Sequence, residues 1–578
     1  MLHLPKPSNL PRFPKKLLLA PAAFFLLCAL HIYQTNRNFE TFTETMFLEE
    51  IQSNTLNLHY TLENPSAYGI TDYPITLGSA KPEVLEASAQ TLEQDYQTLQ
   101  TFSYRALTGE NQLTYDILNV YLENQLQESQ YLLYAEPLGA TIGTQAQLPI
   151  LLAEYAFYEK SDVIRYLKLL QQMDVYYATL LDYEKAKSAA GLFMSDKNLD
   201  AILTQCRSFI ETPDKNVLIT IFPEKVNAVA DLTAQEKELL ISKNRQIVQE
   251  HVIPAYELLI TGLESLRGTG TTENGLCYLP QGKEYYACLV RDATGCQVSV
   301  STIQNRIQEQ IFADYEALRT LITENPQVLE ELRAVSAASP QDPAAILNDL
   351  QAKMAADFPQ APNVSCQIKY VDASLEEYLS PAFYLTPPID NLTDNVIYIN
   401  QASGYTSAQL YTTLAHEGYP GHLYQTVYSG SFESNPVRNL LNFSGYVEGW
   451  ATYVEMMSWE YTGLSAELAE AYRLNRSISL GFSSLIDIAV HYKGYTREKV
   501  VEYLTSFGYN ASSASALFDA VIESPANYLK YYVGALSFQD LQTAVKEKEG
   551  EQFSLREFHA KVLEIGPAPF SVLAKYLL

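Results

Sequence analysis

Positive charge is scarce in this chain. Its 578 residues carry 39 Lys and Arg against 67 Asp and Glu, a formal charge of -28. A polyanion rewards clustered cations, so no nucleic acid is expected as a partner. Cysteine is also sparse. Cys277, Cys288 and Cys296 follow one another at spacings of 11 and 8 residues, which match no zinc-ribbon or redox pattern. An odd five cysteines outside the N-terminal apolar run exclude a disulfide framework, though not a single bridge. Gly (25) and Pro (27) are spread without a linker-like tract, which favours one large body over a string of small domains. With 47% hydrophobic and only 18% charged residues, that body has the side chains for a sizeable core.

One long apolar run is present. Lys6, Arg12, Lys15 and Lys16 precede Leu17–Tyr33, a run interrupted only by Pro21, Cys28 and His31. Its 17 residues fall between a signal-peptide core and a full span. No small-x-small cleavage site follows, so an uncleaved signal anchor is favoured over a cleaved signal peptide. The chain then divides into a cytoplasmic basic segment, 1–16, an anchor, 17–33, and a body, 34–578, outside the cell. The membrane is thus an expected partner through the N-terminal segment. Leu27, not a small residue, precedes Cys28, which speaks against a lipid attached there.

Beyond the anchor the chain reads as mainly α. Glu83–Leu107, Asp162–Lys187, Ala234–Leu266 and Val300–Ile322 place apolar residues at intervals of three and four over many turns, the helical period. Residues 268–300, rich in glycine and aromatics, break that pattern and predict a loop or small hairpin. Residues 356–402 hold two strand candidates, Val364–Val371 and Asn395–Asn400, predicting a small sheet around 364–400 beside the helices that resume at about Ser407.

The chemistry concentrates where those helices resume, in His416-Glu417-Gly418-Tyr419-Pro420-Gly421-His422. Two of only eight histidines flank a carboxylate, a set suited to holding Zn2+ and keeping a base beside its water. Six residues of ideal helix would leave the imidazoles about 120° apart and about 9 Å along the axis, so a straight helix does not serve. Pro420 lacks the amide proton that would bond the His416 carbonyl, and Gly418 and Gly421 permit a break that returns His422 toward His416.

Downstream, after Pro436, the segment Gly445–Glu455, with Glu448-Gly449-Trp450-Ala451 inside it, starts another helix. Glu448 lies 26 residues after His422, far enough for an antiparallel helix to bring it back as a third ligand, leaving one coordination position open. Glu455, two turns further on, is either a support for a ligand or a solvated helix carboxylate.

These two strings resemble the bacterial family catalogued as domain of unknown function 885, grouped with the gluzincin-like zinc metallopeptidases. The resemblance covers about residues 45–578. It includes Gly282–Tyr286, Tyr384–Asp390, Arg476–Gly494 with Asp487 and His491, and Ser524-Pro525-Ala526 leading to Tyr531-Tyr532-Val533-Gly534. It implies a large multi-helix body and zinc peptidase chemistry. Members often carry a second His directly after the position of His422; here it is Leu423, which leaves His422 as the ligand.

The mechanism that follows is hydrolysis of peptide bonds, with Glu417 as general base. A donor to the developing oxyanion comes from Tyr531 or His491; each also has a packing reading, His491 as a core histidine bonded to Asp487. Tyr384 joins the substrate-binding candidates through the resemblance. Arg476 binds a peptide carboxylate or forms a structural ion pair. The strand at Asn395–Asn400 aligns an extended peptide along an exposed edge, or Asn400 caps the next turn. A binding protein that has lost catalysis, and a zinc hydrolase of non-peptide amides or esters, both retain the same residues. Composition and motifs leave the oligomeric state undefined.

Overall fold

Apolar residues at helical spacing, started by Ser, Thr and Asn caps, fold most of the chain into long helices, as the computed structural model shows. It describes residues 15–140, 143–270, 273–334, 342–371, 376, 380–433 and 435–578. The principal helices of the first half are α1 (Lys15–Gln52), α2 (Pro82–Gln100), α3 (Gly109–Glu128), α4 (Lys160–Leu170), α5 (Met173–Ala189), α6 (Ala234–Ile247), α7 (Ile253–Glu264), α8 (Gly282–Thr294) and α9 (Val300–Glu324). The predicted helix Asp162–Lys187 is thus two, α4 and α5. Helices α6 and α7 are joined by a π-helical turn, Val248–Val252, ahead of Pro254.

Two sequence readings are corrected here. Residues 268–300 are not a loop or hairpin throughout, because α8 occupies their centre. Gly282 opens it and Gly295, with φ 65°, closes it, so glycines that looked like breakers are boundary residues. The six cysteines are free, so the single bridge considered for residues 277–296 is not made.

A three-stranded sheet follows: β1 (Ser365–Tyr370), β2 (Ala382–Leu385) and β3 (Asp394–Ile399), in the order β1-β3-β2. β3 pairs parallel with β1 and antiparallel with β2. The strand proposed as an exposed edge is therefore the middle one. Both its edges are taken, and peptide addition along Asn395–Asn400 is ruled out.

The second half supplies α10 (Ser407–Glu417), α11 (His422–Gly430), α12 (Ser444–Ser458), α13 (Ala466–His491), α14 (Asn527–Glu549) and α15 (Leu555–Ile565). A capping box between Thr406 and Gln409 starts α10. α12 and α14 cross in close contact: a Cβ on Gly449 would overlap the backbone of Gly534, so the two glycines let the main chains meet. The largest apolar cluster surrounds this crossing. It joins Phe39 and Phe47 of α1, Leu414 and Ala415 of α10, Trp450 and Val454 of α12, and Phe538 of α14.

The N-terminal run is part of α1. Phe39, Phe47 and Ile51 anchor the later turns in the core, whereas Phe24, Phe25, Leu27, Leu30 and Tyr33 are exposed. Residues 1–14 of the basic segment lie outside the described residues. Among the described residues no helix is long and apolar enough to cross a membrane.

Candidate metal centre

The break that Pro420 and the flanking glycines predict separates α10 from α11. The Tyr419–Pro420 peptide is cis, and a Cβ on Gly421 would overlap the carbonyls of His416 and Ala415. Only glycine fits the chain that closely against the end of α10. The Trp450 indole N–H donates to the Pro420 carbonyl at 2.9 Å, fixing the break to α12. The result is that the imidazoles of His416 and His422 stand 4.8 Å apart, centroid to centroid, with planes at 86°.

Glu448, on α12, faces both rings. Its Oε2 lies 3.6 Å from His416 Nε2 and 3.3 Å from His422 Nε2, and one ligand atom from each of the three residues falls within 4.8 Å of the others. Ligand bonds of about 2.1 Å in a tetrahedron put donor atoms about 3.4 Å apart. The two gaps from Glu448 therefore match edges of a single coordination polyhedron, and the donor set of two imidazoles and a carboxylate fits zinc. The side chains are only 12%, 14% and 22% exposed.

The electrostatics of the metal-free cluster agree with a site built for a cation. Burial alone would pull the His416 imidazole down, yet hydrogen bonds to Glu448 and Glu455 push it up to about 10. Burial would raise Glu448, but the two histidines hold its carboxyl below the usual carboxylate range. Glu455 is not a solvated carboxylate. It is 7% exposed, its Oε2 lies 3.2 Å from His416 Nδ1, and its Oε1 accepts from Arg476 Nε at 2.8 Å. Burial works against it, while Arg476 and then His416 bring it down to about 2. Such a carboxylate fixes the ring so that Nε2 turns toward the metal position.

Glu417 follows His416 but is not in the triad. Its Oε2 accepts the backbone N–H of Tyr384 at 2.9 Å. Burial raises its pKa, against the pull of His416 and His422. Tyr384 thus reaches the site through its main chain from β2, while its hydroxyl donates to Asn395 Oδ1 at 2.6 Å. Tyr531, on α14, comes within 6.5 Å of the His416 ring, centroid to centroid. Burial, then Glu448 and Glu417, raise its phenol and keep it protonated.

Three sequence candidates do not face the gap between the two histidines and Glu448. His491 is 1% exposed; its Nδ1 accepts from the Leu276 amide and its Nε2 donates to the Val521 carbonyl. It ends α13, fifteen residues or about 22 Å of helix beyond Arg476, so it does not reach the cluster. It does not bond Asp487 either, whose Oδ1 accepts from Tyr286 and from the Ala526 amide. Arg476 is committed to Glu455 by two hydrogen bonds. Asn400 accepts from the Ala402 amide and donates to the Glu376 carbonyl, the capping alternative. Lys530 went unnoticed in the sequence. Its Nζ lies 3.9 Å from Glu448 Oε1 and 5.0 Å from the Tyr531 ring centre; no motif marks a lysine preceding a tyrosine.

No curated protein matches the chain. Among solved structures it is similar to "the putative lipoprotein from Colwellia psychrerythraea", with TM-score 0.84 and 20% identity over 94% of this chain and 98% of that one. It is also similar to "a putative lipoprotein of unknown function from Shewanella oneidensis", with TM-score 0.65 and 16% identity over 92% and 98%. At these identities the likeness establishes the fold. A family model described as bacterial protein of unknown function, DUF885, matches residues 64–577, and the chain belongs to that family.

Proposed function

We propose that this protein is a zinc-dependent hydrolase of peptide bonds, with His416, His422 and Glu448 as metal ligands and Glu417 as general base. The observation that carries the reading is the set of donor atoms from three residues spaced for one ion, with a second carboxylate, Glu417, beside them and bonded to a main-chain amide. Zinc at such a site polarises a scissile carbonyl and lowers the pKa of its water. Glu417 takes the proton of the attacking water and delivers it to the leaving nitrogen. Its burial raises its basicity for that task. The Tyr531 phenol, kept protonated, donates to the oxyanion as it develops. Glu455 and Arg476 act through His416 by holding its ring, and Arg476 is a positioning residue, not a substrate clamp.

The apolar start of α1 supports a membrane-attached protein with its catalytic body outside the cell. Its exposed phenylalanines and leucines have no place against the core, and the basic residues before them favour the cytoplasmic side.

The test is a digest of a peptide library with zinc-loaded protein. Hydrolysis that stops with a chelator and returns with zinc is expected. In Glu417→Gln the metal stays while turnover falls by about 10²-fold or more. Unchanged hydrolysis in that variant with zinc retained excludes Glu417 as the base.

A further inference from the structure

Two neighbouring cavities share part of their walls, and one of them reaches β2. The larger, about 690 Å³, is lined by Glu49 and Glu50 of α1, Asp95 of α2 and Glu128 of α3. The smaller, about 490 Å³, shares Glu50 and Leu440 with it and extends to Tyr384 and Leu385 on β2. Tyr384, in the wall of the smaller cavity, is the residue whose amide bonds Glu417, so one strand residue touches both the cavity and the candidate base. Each volume lies in the range of about 300–1,000 Å³ usual for ligand sites.

The walls have one electrical character. Among the described residues, no Lys, Arg or His lines either cavity. Burial, then Glu49, raises Asp95. Burial, then Asp292, raises Glu128 to about 7. No cation acts to lower either carboxyl. Independently of the carboxylates, tyrosines crowd the larger cavity, with Tyr121, Tyr131 and Tyr285 among its lining residues. Aromatic rings beside carboxylates form a surface that attracts ammonium and guanidinium groups through both charge and ring quadrupole.

We propose that the joined cavities are an extended subsite for a cationic segment of the peptide substrate, its Lys or Arg side chains set against Glu50, Glu128 and the tyrosines while the scissile bond lies at Glu417. This rests on the peptide-hydrolase reading above and adds a substrate class to it. Peptide basicity is then read at a distance from the bond that is cut, by a part of the fold built from α1, α2 and α3.

The test reads binding without catalysis. Zinc-loaded full-length Glu417→Gln protein is titrated into two fluorescein-labelled decapeptides that differ only in carrying three Arg or three Glu, and anisotropy is followed. The Arg peptide should bind at least about tenfold more tightly. The net charge of -28 attracts any basic peptide, so the deciding arm adds Glu50→Gln and Glu128→Gln. That background should cut the preference to about threefold or less, with zinc content and thermal midpoint preserved. Equal binding of the two peptides, or a preference that survives the added substitutions, overturns the proposal. If the added substitutions unfold the protein, Tyr285→Leu in their place should weaken the Arg peptide selectively, and no such change overturns it. Absence of hydrolysis in the wild type with the preference intact removes the peptidase reading alone; hydrolysis without the preference removes the subsite alone.

Discussion

The indole of Trp450 donates to the carbonyl of Pro420 across the gap between two helices, at 2.9 Å. Trp450 is fully buried and packs edge-on to Phe358, Phe538 and His559. It lies two residues from Glu448, so one side chain ties the break that pairs the histidines to the helix that carries Glu448. Trp450→Phe keeps most of the apolar contact but leaves the Pro420 carbonyl unpaired and opens a cavity. A loss of about 2–4 kcal/mol in folding stability is expected, together with weaker zinc retention. Denaturant unfolding and metal analysis of the purified variant check both; retained metal affinity at reduced stability would show that the bond supports the core and not the ligand geometry.

Glu455 bridges His416 Nδ1 and Arg476. Replacing it by Gln removes the charge that orients the ring, so zinc affinity should fall by about 10–100-fold, the usual loss for the residue behind a metal-bound histidine. Alanine at His416, His422 or Glu448 removes one of the three proposed ligands outright and should lower metal content further. Competition against a chelator of known affinity ranks the four variants. A Glu455→Gln protein that binds zinc like the wild type makes the bridge a packing feature.

The contrast among these residues shows what sequence alone carries. The triad was legible because histidine is rare, because two lie close together around Pro420, and because Glu448 sits near the start of a helix at a distance that allows a return. The helix break was legible for the same reason that proline forbids its alternative. Tyr384 could be named, but not for its role, because a main-chain amide leaves no side-chain signature and β2 is only four residues long. Asn395–Asn400 read correctly as a strand and wrongly as an edge, since β2 takes the outer position through a pairing set by distant residues. His491 looked catalytic beside Asp487, yet its partners are main-chain groups of Leu276 and Val521, which no pattern on its own helix reveals.

The start of α1 carries a prediction about location. Full-length protein should fractionate with membranes, and the body from about residue 34 onward should be open to protease added outside intact cells. Deleting residues 1–33 should release a folded body, because, among the described side chains of α1, the apolar ones that are fully buried in the core come later, at Phe39 and Phe47. A soluble cytoplasmic full-length product with its N-terminus intact would count against both the anchor and the external location.

His491 separates structure from catalysis by its pH response. Burial pulls its imidazole down to about 4 from 6.5, with the Val521 carbonyl opposing in part. Between those values the unfolded chain binds a proton that the folded one refuses. The neutral ring's contribution is therefore fully present above pH 6.5 and is lost as pH falls toward 4, a difference of about 3 kcal/mol over the full window. His491→Gln removes that titration. Its stability deficit relative to wild type should be largest near pH 7 and should shrink as pH falls to 5, measured by thermal or denaturant unfolding at each pH. Turnover of the folded variant at pH 7.5 should stay within about threefold of wild type, because loss of a true acid or base costs about 10²-fold or more. A pH-independent deficit with a hundredfold loss of turnover would return His491 to the reaction.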